Sequence, residues 1–420
     1  MKVLVVGRGG REHALCEKIA SSPLVNQVYV APGNHGMTCV ATLIPYTEDD
    51  HEGLVRFAKE HKVDLVFIGP EKPLVDGLAD RFAQEQIRVF APSKKAAEIE
   101  GSKSFAKALM VKYGIPTADY RVFSDYDQAR NYVEQSPLPI VIKANGLAAG
   151  KGVVVAHTQM QAQEALREML EERKFGEASS QVIMEECLQG EEFSLMALVH
   201  GELVVPLDIA QDHKRAFDGD LGPNTGGMGA YSPVPQIPSD VIQRAITEIL
   251  EPAAKALVLE GRPFTGVLYA GLMLTAEGPK VIEFNARFGD PETQVLLPRL
   301  ESDLVDAVLR VLAGESPDLR WSAQGMVGVV VASQGYPGSY ERGVLIPSFE
   351  CVDGSVCLYY SGVAQSDEGE LLSAGGRVYL AGCLGNSLGE ARQHVYAFLS
   401  QYEQPELFYR RDIGKGALGN

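Results

Sequence analysis

Along the first part of the chain, short apolar runs alternate with apolar positions at helical spacing. Val3–Val6 is an unbroken apolar run ending in Gly7-Arg8-Gly9-Gly10, the form of a strand buried on both faces. Leu15 and Ile19 follow at helical spacing, then an apolar run at Val28–Val30, helical spacing at Leu54, Val55 and Ala58, and runs at Leu65–Ile68 and Arg88–Phe90. This strand–helix rhythm predicts a parallel sheet with helices on both faces. Ligands of such sheets bind at the carboxyl ends of the strands.

The pattern then changes. A helix over Lys103–Tyr113 is expected to stop at Gly114, with Pro116 beyond it. A smaller α/β unit follows, with a helix near Tyr126–Val133, a strand Ile140–Lys143, a glycine-rich turn, a strand Gly152–Ala156, a helix Gln159–Arg173 and a strand Gln181–Glu185. From Glu192 to about Gly314 the pattern is long strands with one long helix, Asp240–Leu259. Gly266–Thr275 and Lys280–Phe284 read as an antiparallel pair there. The remainder is strand-rich, with one late helix near Gly389–Tyr402. The expected division is 1–102, an N-terminal α/β domain; 103–120 with 192–323, a core; 121–191, a small lid unit; and 324–420, a strand-rich C-terminal domain. The fold class is α/β, α+β in part.

Composition narrows the function. Domains usually run to roughly 100–200 residues, so a chain of 420 residues accommodates several. A net charge of −17 argues against nucleic acid held on a basic surface, although one pocket can still be basic. No apolar run is long enough to span a membrane. Cys16, Cys39, Cys187, Cys351, Cys357 and Cys383 form no C-x-x-C pair, which fits free thiols in a cytoplasmic protein.

Two glycine-rich loops carry candidate chemistry. Gly7-Arg8-Gly9-Gly10-Arg11-Glu12 follows the first strand and opens a helix, a place where free backbone N–H groups meet an anion. Glu12 stands where a dinucleotide fingerprint needs its last glycine, so phosphate or ribose phosphate fits better than NAD. The second loop, in I-V-I-K-A-N-G-L-A-A-G-K-G-V-V-V over 140–155, is spaced unlike a Walker A loop and joins two strands. A flexible hairpin of this kind can close over a triphosphate, with the Lys143 ammonium free to meet a phosphate.

A polar cluster follows in V-I-E-F-N-A-R-F-G-D-P-E-T-Q, residues 281–294. Strand alternation puts Glu283, Asn285 and Arg287 on one side and Ile282 and Phe284 on the other. A carboxylate beside an amide oxygen suits Mg²⁺, which takes its other ligands from phosphates and water. Arg287 beside them can neutralise a phosphoryl group in transit. In I-M-E-E-C-L-Q-G-E-E-F, residues 183–193, an adenine can lie along Cys187 and Leu188, with Glu192 on the ribose hydroxyls.

Taken in order, Lys103, Lys143, the glycine hairpin, E-E-x-L-x-G-x-E and E-x-N-x-R resemble the ATP-grasp superfamily. With Q-D-H-K-R (211–215), G-P-N-T-G-G-M-G-A-Y (222–231), T-G-V-L-Y-A-G-L-M (265–273), the opening G-R-G-G-R-E-H-A and G-G-R-V (375–378), the whole chain resembles the glycinamide ribonucleotide synthetase family. The resemblance implies an ATP-grasp fold and an ATP-dependent ligase of purine biosynthesis. It would join glycine to 5-phosphoribosylamine through glycyl phosphate, using ATP with Mg²⁺, or Mn²⁺ in its place, as a monomer or weak homo-oligomer. It implies phosphate roles for Lys103, Lys143, Gly150 and Lys151, and a nucleoside pocket at Glu185, Glu186, Leu188 and Glu192. The metal falls to Glu283 and Asn285, catalysis to Arg287, and an amine contact to Asp290. Gly9, Gly10, Arg11, Glu71 and Arg377 are assigned to the ribose phosphate. Asp212, Lys214 and Asn224 go to the substrate side without a specific role, and His213 is either a satisfied loop histidine or a catalytic one. Two positions depart from the family pattern: Arg8, usually Asn, and Asn145, usually Asp. The alternatives are another ATP-grasp ligase, including a carboxylase type for which the chain lacks a biotin-carrier motif, and a nucleotide-binding module without catalysis.

Overall fold

The computed structural model describes residues 1–148, 150–349 and 356–418. The N-terminal strands form a parallel sheet in the order Thr42–Leu43, Gln27–Pro32, Lys2–Gly7, Leu65–Ile68, Val89–Phe90. Leu4, Val6, Val66 and Ile68 pack into one hydrophobic cluster, while Val3, Val5, Leu65 and Phe67 pack into another. Successive side chains point to opposite faces, so both faces are buried. That is why these strands read as apolar runs without alternation.

The strands Tyr120–Phe123, Val182–Glu186, Ile140–Ala144 and Val153–Ala156 form, in that order, a separate antiparallel sheet. Helices Tyr126–Gln135 and Gln159–Leu166 bury Ala129, Val133, Ala162, Ala165 and Leu166 with it. The glycine-rich segment joins two adjacent antiparallel strands, as expected; Ala149 within it lies outside the described residues.

The largest sheet runs Gly278–Asn285, Thr265–Thr275, Glu191–His200, Leu203–Asp212, Gly229–Ser232, Gly325–Ser333, Arg377–Gly385, Val356–Tyr360. The strands Gly325–Ser333, Arg377–Gly385 and Val356–Tyr360 therefore continue the sheet of the core, through Gly229–Ser232 paired with Gly325–Ser333, while Val363–Gln365 and Leu371–Ser373 pair with each other. This continuity places Arg377 in a rigid relation to the strands that carry Glu283 and Asn285.

Two expectations need correction. The long helix over 240–259 is Ser239–Ala245 and Glu251–Leu259, joined by a wider π turn at Ile246–Leu250. It is not the only helix of its region, because Glu292–Leu296 and Leu304–Leu312 are helical too. Glu71–Asp76, Leu78–Gln84 and Lys94–Gly101 add helices to the N-terminal part. In Leu304–Leu312 the β-branched valines favour a strand locally, but Leu304, Val305, Ala307, Val308 and Val311 form one buried face. The cap decides the start: Asp303 Oδ1 accepts from the N–H groups of Val305 (2.8 Å) and Asp306 (3.2 Å), and its Oδ2 accepts from the Ser22 hydroxyl (2.7 Å).

Asp303→Ala removes this cap and the tie to Ser22. A loss of about 2 kcal/mol in urea unfolding is expected; a loss under about 0.5 kcal/mol would mean that packing alone sets the helix.

Candidate active site

A cavity of about 1110 Å³ lies where the three sheets meet. Its walls include Arg11 and Glu71 from the parallel-sheet unit, Val141, Lys143, Val153 and Glu185 from the small sheet, and Asp212, Tyr269, Glu283 and Asn285 from the large one. Its size suits a nucleotide with small substrates.

The helix Lys103–Tyr113 is capped by the Ser102 hydroxyl on Phe105 N–H and ends at Gly114 with φ 67°. Lys103 and Lys107 lie one turn apart on it, and both reach the cavity. Lys107 Nζ lies 3.1 Å from Glu185 Oε2 and donates to Thr117 Oγ1 at 2.8 Å. Lys143 Nζ donates to the same Glu185 oxygen at 2.9 Å and to Ile282 O at 3.1 Å. The Lys143 ammonium is thus not free, as expected from sequence, but tethered with one proton to spare. Glu185 Oε1 is buried without a partner among the described residues. Burial pulls Lys107 down to about 8 even with Glu185 opposing it. Lys103 is also lowered by burial, against the pull of Glu283, and among the described residues its ammonium donates only to Gly146 O, at 3.2 Å.

On the opposite wall the register between Thr265–Thr275 and Gly278–Asn285 slips next to Gly271. Gly271 faces Glu283 and Leu272 faces Val281, so the extra residue, Ile282, is thrown toward the cavity as well. The strict alternation expected here therefore fails at Ile282, because a bulge breaks the period of two. The Glu283 carboxylate accepts no hydrogen bond and forms no ion pair among the described residues. Burial acts to raise its pKa, but Lys214, Lys143, Lys103 and Arg287 outweigh burial and hold it below the usual range.

Arg287 donates to Asn285 Oδ1 at 3.2 Å and to Phe288 O at 3.3 Å, and pairs with Glu100 Oε1 at 3.1 Å. Glu100 Oε2 accepts Ala286 N–H at 2.7 Å, so this buried carboxylate fixes both the backbone and the guanidinium. Asp290 and Arg377 form a fork, Oδ2 to Nη2 at 3.0 Å and Oδ1 to Nη1 at 3.2 Å, and Arg377 also donates to Gly226 O at 2.6 Å. Burial would raise the Asp290 carboxyl, but Arg377 and Arg11 hold it below its ordinary value.

The first glycine loop departs from expectation. Glu12 folds back so that Oε2 accepts Gly9 N–H at 2.6 Å and Oε1 takes Arg11 Nε at 2.5 Å. The Gly9 N–H expected for an anion is therefore occupied. Neither Gly9 nor Gly10 is on the cavity wall, and Gly10 packs toward Gln294 and Ser361. Arg11 is on the wall, also donating to Phe288 O at 3.1 Å, and so is Glu71.

Among the remaining expected residues, Gly150, Glu186, Leu188, Glu192, Lys214 and Asn224 line the cavity. Lys151 does not; its side chain is exposed and donates to Pro337 O at 3.4 Å. Lys214 bonds Glu192 at 2.7 Å and stands 4.0 Å from Asp212. His213 is lowered to about 4 by burial and then by Arg410, so it is neutral at pH 7, with Nδ1 unpartnered among the described residues. Sequence reasoning missed Lys107, Glu100, Tyr269 and Glu292. Spacing of four from Lys103 was a usable sign for Lys107; Glu100 had none, since its partners lie far along the chain.

Among the described residues no group of three His, Cys, Asp or Glu is placed to hold a metal. Two hard oxygens, Glu283 and Asn285 Oδ1, fit an ion that draws its other ligands from phosphate and water.

The N, ATP-grasp (A) and C domain models of phosphoribosylglycinamide synthetase match residues 1–100, 101–293 and 326–416. The phosphoribosylamine–glycine ligase of Halalkalibacterium halodurans is 57% identical over 418 residues, covering 100% of this chain and 97% of that one. The chain belongs to the phosphoribosylglycinamide synthetase family. A Streptococcus pyogenes relative of the same name is 52% identical, with 100% of both chains covered. The crystal structure of the Thermotoga maritima phosphoribosylamine–glycine ligase superposes with a TM-score of 0.87 at 35% identity, over 98% of this chain and 100% of that one. A Campylobacter jejuni biotin carboxylase in complex with β-γ-ATP shares the fold, with a TM-score of 0.75 at 14% identity, over 100% of this chain and 95% of that one. The chain is thus an ATP-grasp ligase, with the synthetase family's three parts in order.

Within this synthetase the Glu100–Arg287 pair is structural as well as chemical. Glu100→Ala leaves a buried guanidinium with only a distant carboxylate, and a loss of about 3 kcal/mol in urea unfolding is expected. A loss below about 1 kcal/mol would show that Glu71 and the carbonyls suffice.

Proposed function

We propose that this protein uses ATP to join glycine to 5-phosphoribosylamine, giving glycinamide ribonucleotide, ADP and phosphate in purine biosynthesis. The observation that carries the reading is the unpaired Glu283 carboxylate, set beside Asn285 and Arg287 and within the field of Lys103 and Lys143. Lys103 pairs with no carboxylate among the described residues and is left to meet an incoming polyphosphate.

A carboxylate is a poor electrophile toward an amine. A glycine carboxylate oxygen attacks the γ-phosphorus of ATP, the bond to ADP breaks, and glycyl phosphate forms. The amine nitrogen of phosphoribosylamine then attacks the acyl carbon, the C–O bond to phosphate breaks, and the nitrogen loses its proton. No nucleophilic side chain is required, only placement and charge neutralisation. Lys103 and Lys143 face the phosphates, with the backbone at Gly150 above them. Glu185 Oε1, lacking a partner, can accept from the exocyclic amine of adenine, with Glu186 and Leu188 beside the base and Glu192 near the ribose. Arg287 meets the oxygens of the group in transfer. Asp290, held ionised by Arg377, can accept a proton of the incoming amine while Arg377, Arg11 and Glu71 face the ribose phosphate. Mg²⁺, or Mn²⁺ in its place, held by Glu283 and Asn285, would add neutralising charge on the phosphates when bound.

All of these groups come from one chain, so a monomer suffices. The free thiols of Cys16, Cys39, Cys187 and Cys357 suit the cytoplasm. No helix among the described residues is long and apolar enough to cross a membrane.

ADP release is expected to require glycine and phosphoribosylamine together with a divalent ion; release that ignores either substrate refutes the reading. Glu283→Gln should keep the fold and lower kcat by about 100-fold, the scale of one pre-placed charge lost from a transition state. Near-normal turnover at saturating Mg²⁺ would remove Glu283 from the metal site. Arg11→Ala should raise KM for phosphoribosylamine several-fold and leave KM for ATP unchanged, whereas an effect confined to ATP would move Arg11 off the amine substrate.

A further inference from the structure

The hairpin of Arg215–Phe217 and Leu221–Asn224 stands apart from the three larger sheets. Between residues 215 and 224 only Ala216 is buried, while Phe217 and Leu221 are 50% and 65% exposed. A lone two-stranded hairpin without a packed apolar face is marginal in water, so its placement depends on other contacts. That placement matters to the cavity. The chain enters the hairpin from Lys214 and leaves it through Asn224, Thr225 and Gly226, all on the cavity wall. These residues form one base: Lys214 O accepts from the Thr225 N–H at 2.7 Å and from its hydroxyl at 2.9 Å. Gly226 O accepts from Arg377 at 2.6 Å, and the Lys214 ammonium lies 2.7 Å from Glu192. A tilt of the hairpin is therefore passed directly to the wall.

The contacts that hold the hairpin come from the C-terminal segment. Arg410, 1% exposed, donates from Nη1 to Arg215 O at 3.0 Å and to Asp220 Oδ1 at 2.8 Å. Its Nε and Nη2 meet the two Asp412 oxygens, each at 2.8 Å. Asp412 Oδ2 also accepts the Gly219 N–H at 2.8 Å, and Asp218 Oδ1 accepts the Arg411 N–H at 2.7 Å. Burial would raise the Asp412 carboxyl, but Arg410 and the Gly219 N–H hold it down, so the fork stays charged. The segment is itself fixed to the helix Leu388–Leu399. The Tyr396 hydroxyl donates to Arg410 O at 2.7 Å and accepts the Ile413 N–H at 3.0 Å. Arg392 donates to Ile413 O at 3.0 Å and to Arg411 O at 2.6 Å. That helix buries Leu388, Ala391, Val395 and Leu399 and packs on the strand Arg377–Gly385. Rigidity thus runs from the large sheet through this helix and Arg410 into the hairpin. A bidentate fork fixes orientation as well as distance, which a hairpin without its own core requires.

We propose that Arg410 is a positioning residue for the reaction: with Asp412 it braces the hairpin 215–224 so that Lys214 and Asn224 face the cavity in their working orientation. What the wall is for rests on the ligase reading above. Arg410 acts through the hairpin and touches no reacting atom.

The test pairs amide exchange with kinetics on the full-length protein. Arg410→Met removes the fork and leaves the ties of Tyr396 and Arg392, which are made to backbone, in place. Exchange across 215–224 should speed by about tenfold or more while the helix Leu388–Leu399 exchanges as before. With glycine and phosphoribosylamine, kcat should fall by about 30-fold, on the scale of a misplaced site wall. Binding of a non-hydrolysable ATP analogue with Mg²⁺, read by calorimetry, should stay within about threefold, because Lys103, Lys143 and the small sheet are untouched. Arg410→Lys, which can pair with Asp412 but cannot span all the acceptors, should recover part of kcat. Asp220→Asn keeps a residue that tolerates the left-handed backbone at φ 55° and removes only the charge at the hairpin end. It should show both changes at smaller scale, and it decides the matter if Arg410→Met does not fold. Unchanged exchange in 215–224, or a lower melting temperature with kcat intact, overturns the proposal. Wild-type protein without ligase turnover overturns the ligase reading instead, and the exchange comparison still decides whether Arg410 braces the hairpin.

Discussion

A buried cation is held most firmly beside a carboxylate, and much of the cavity's organisation follows from that requirement. Lys107 and Lys143 are nearly inaccessible to solvent, and both ammonium groups lie against Glu185 Oε2. Arg287 depends on Glu100 in the same way, and Arg377 on Asp290. Each pair joins separate parts of the chain. Lys107 lies on one helix, Lys143 and Glu185 on the small sheet, Glu100 before that helix, and Arg287 just past the edge strand Gly278–Asn285 of the large sheet. The ion pairs that keep cations at the site are also what hold its walls together.

The sheets give these pairs their precision. Because the strands Gly325–Ser333 and Arg377–Gly385 continue the core sheet, Arg377 is delivered to Asp290 by a hydrogen-bonded ladder and not by a loop. The bulge beside Gly271 turns Glu283 into the cavity, and the absence of a side chain at Gly271 leaves its carboxylate no neighbour to bond there. The small sheet is different. It meets the large one through tethers such as Lys143 to Ile282 O and Lys151 to Pro337 O, which can break and re-form without unfolding either sheet.

Features decided by local chemistry were legible in the sequence. The helix Lys103–Tyr113 stops where a glycine can take a left-handed turn, and the fully buried parallel strands stand out as apolar runs. Glu283, Asn285 and Arg287 sit within five residues of one another, so their shared role could be read from spacing. Features decided at a distance were not. Glu100 matters only because Arg287 folds against it. Gly9 looked like an anion site because its occupant, the Glu12 side chain, could equally have pointed to solvent.

The two departures from the family pattern fall on either side of that line. Arg8 is well exposed and bonds Glu48 through both Nε and Nη2, so its charge is spent at the surface, off the cavity wall. Asn145 is closer to the chemistry. Its Oδ1 accepts Ser104 N–H at 2.8 Å, its Nδ2 donates to Gln181 Oε1 at 3.3 Å, and its backbone oxygen accepts Lys103 N–H at 3.1 Å. An aspartate could make the first contact and would favour the helix N-terminus electrostatically, but it could not donate to Gln181. The amide keeps the helix start tied to the small sheet while removing a negative charge next to Lys103. That ammonium, whose one acceptor among the described residues is the Gly146 carbonyl, is then left with less local competition for an incoming phosphate.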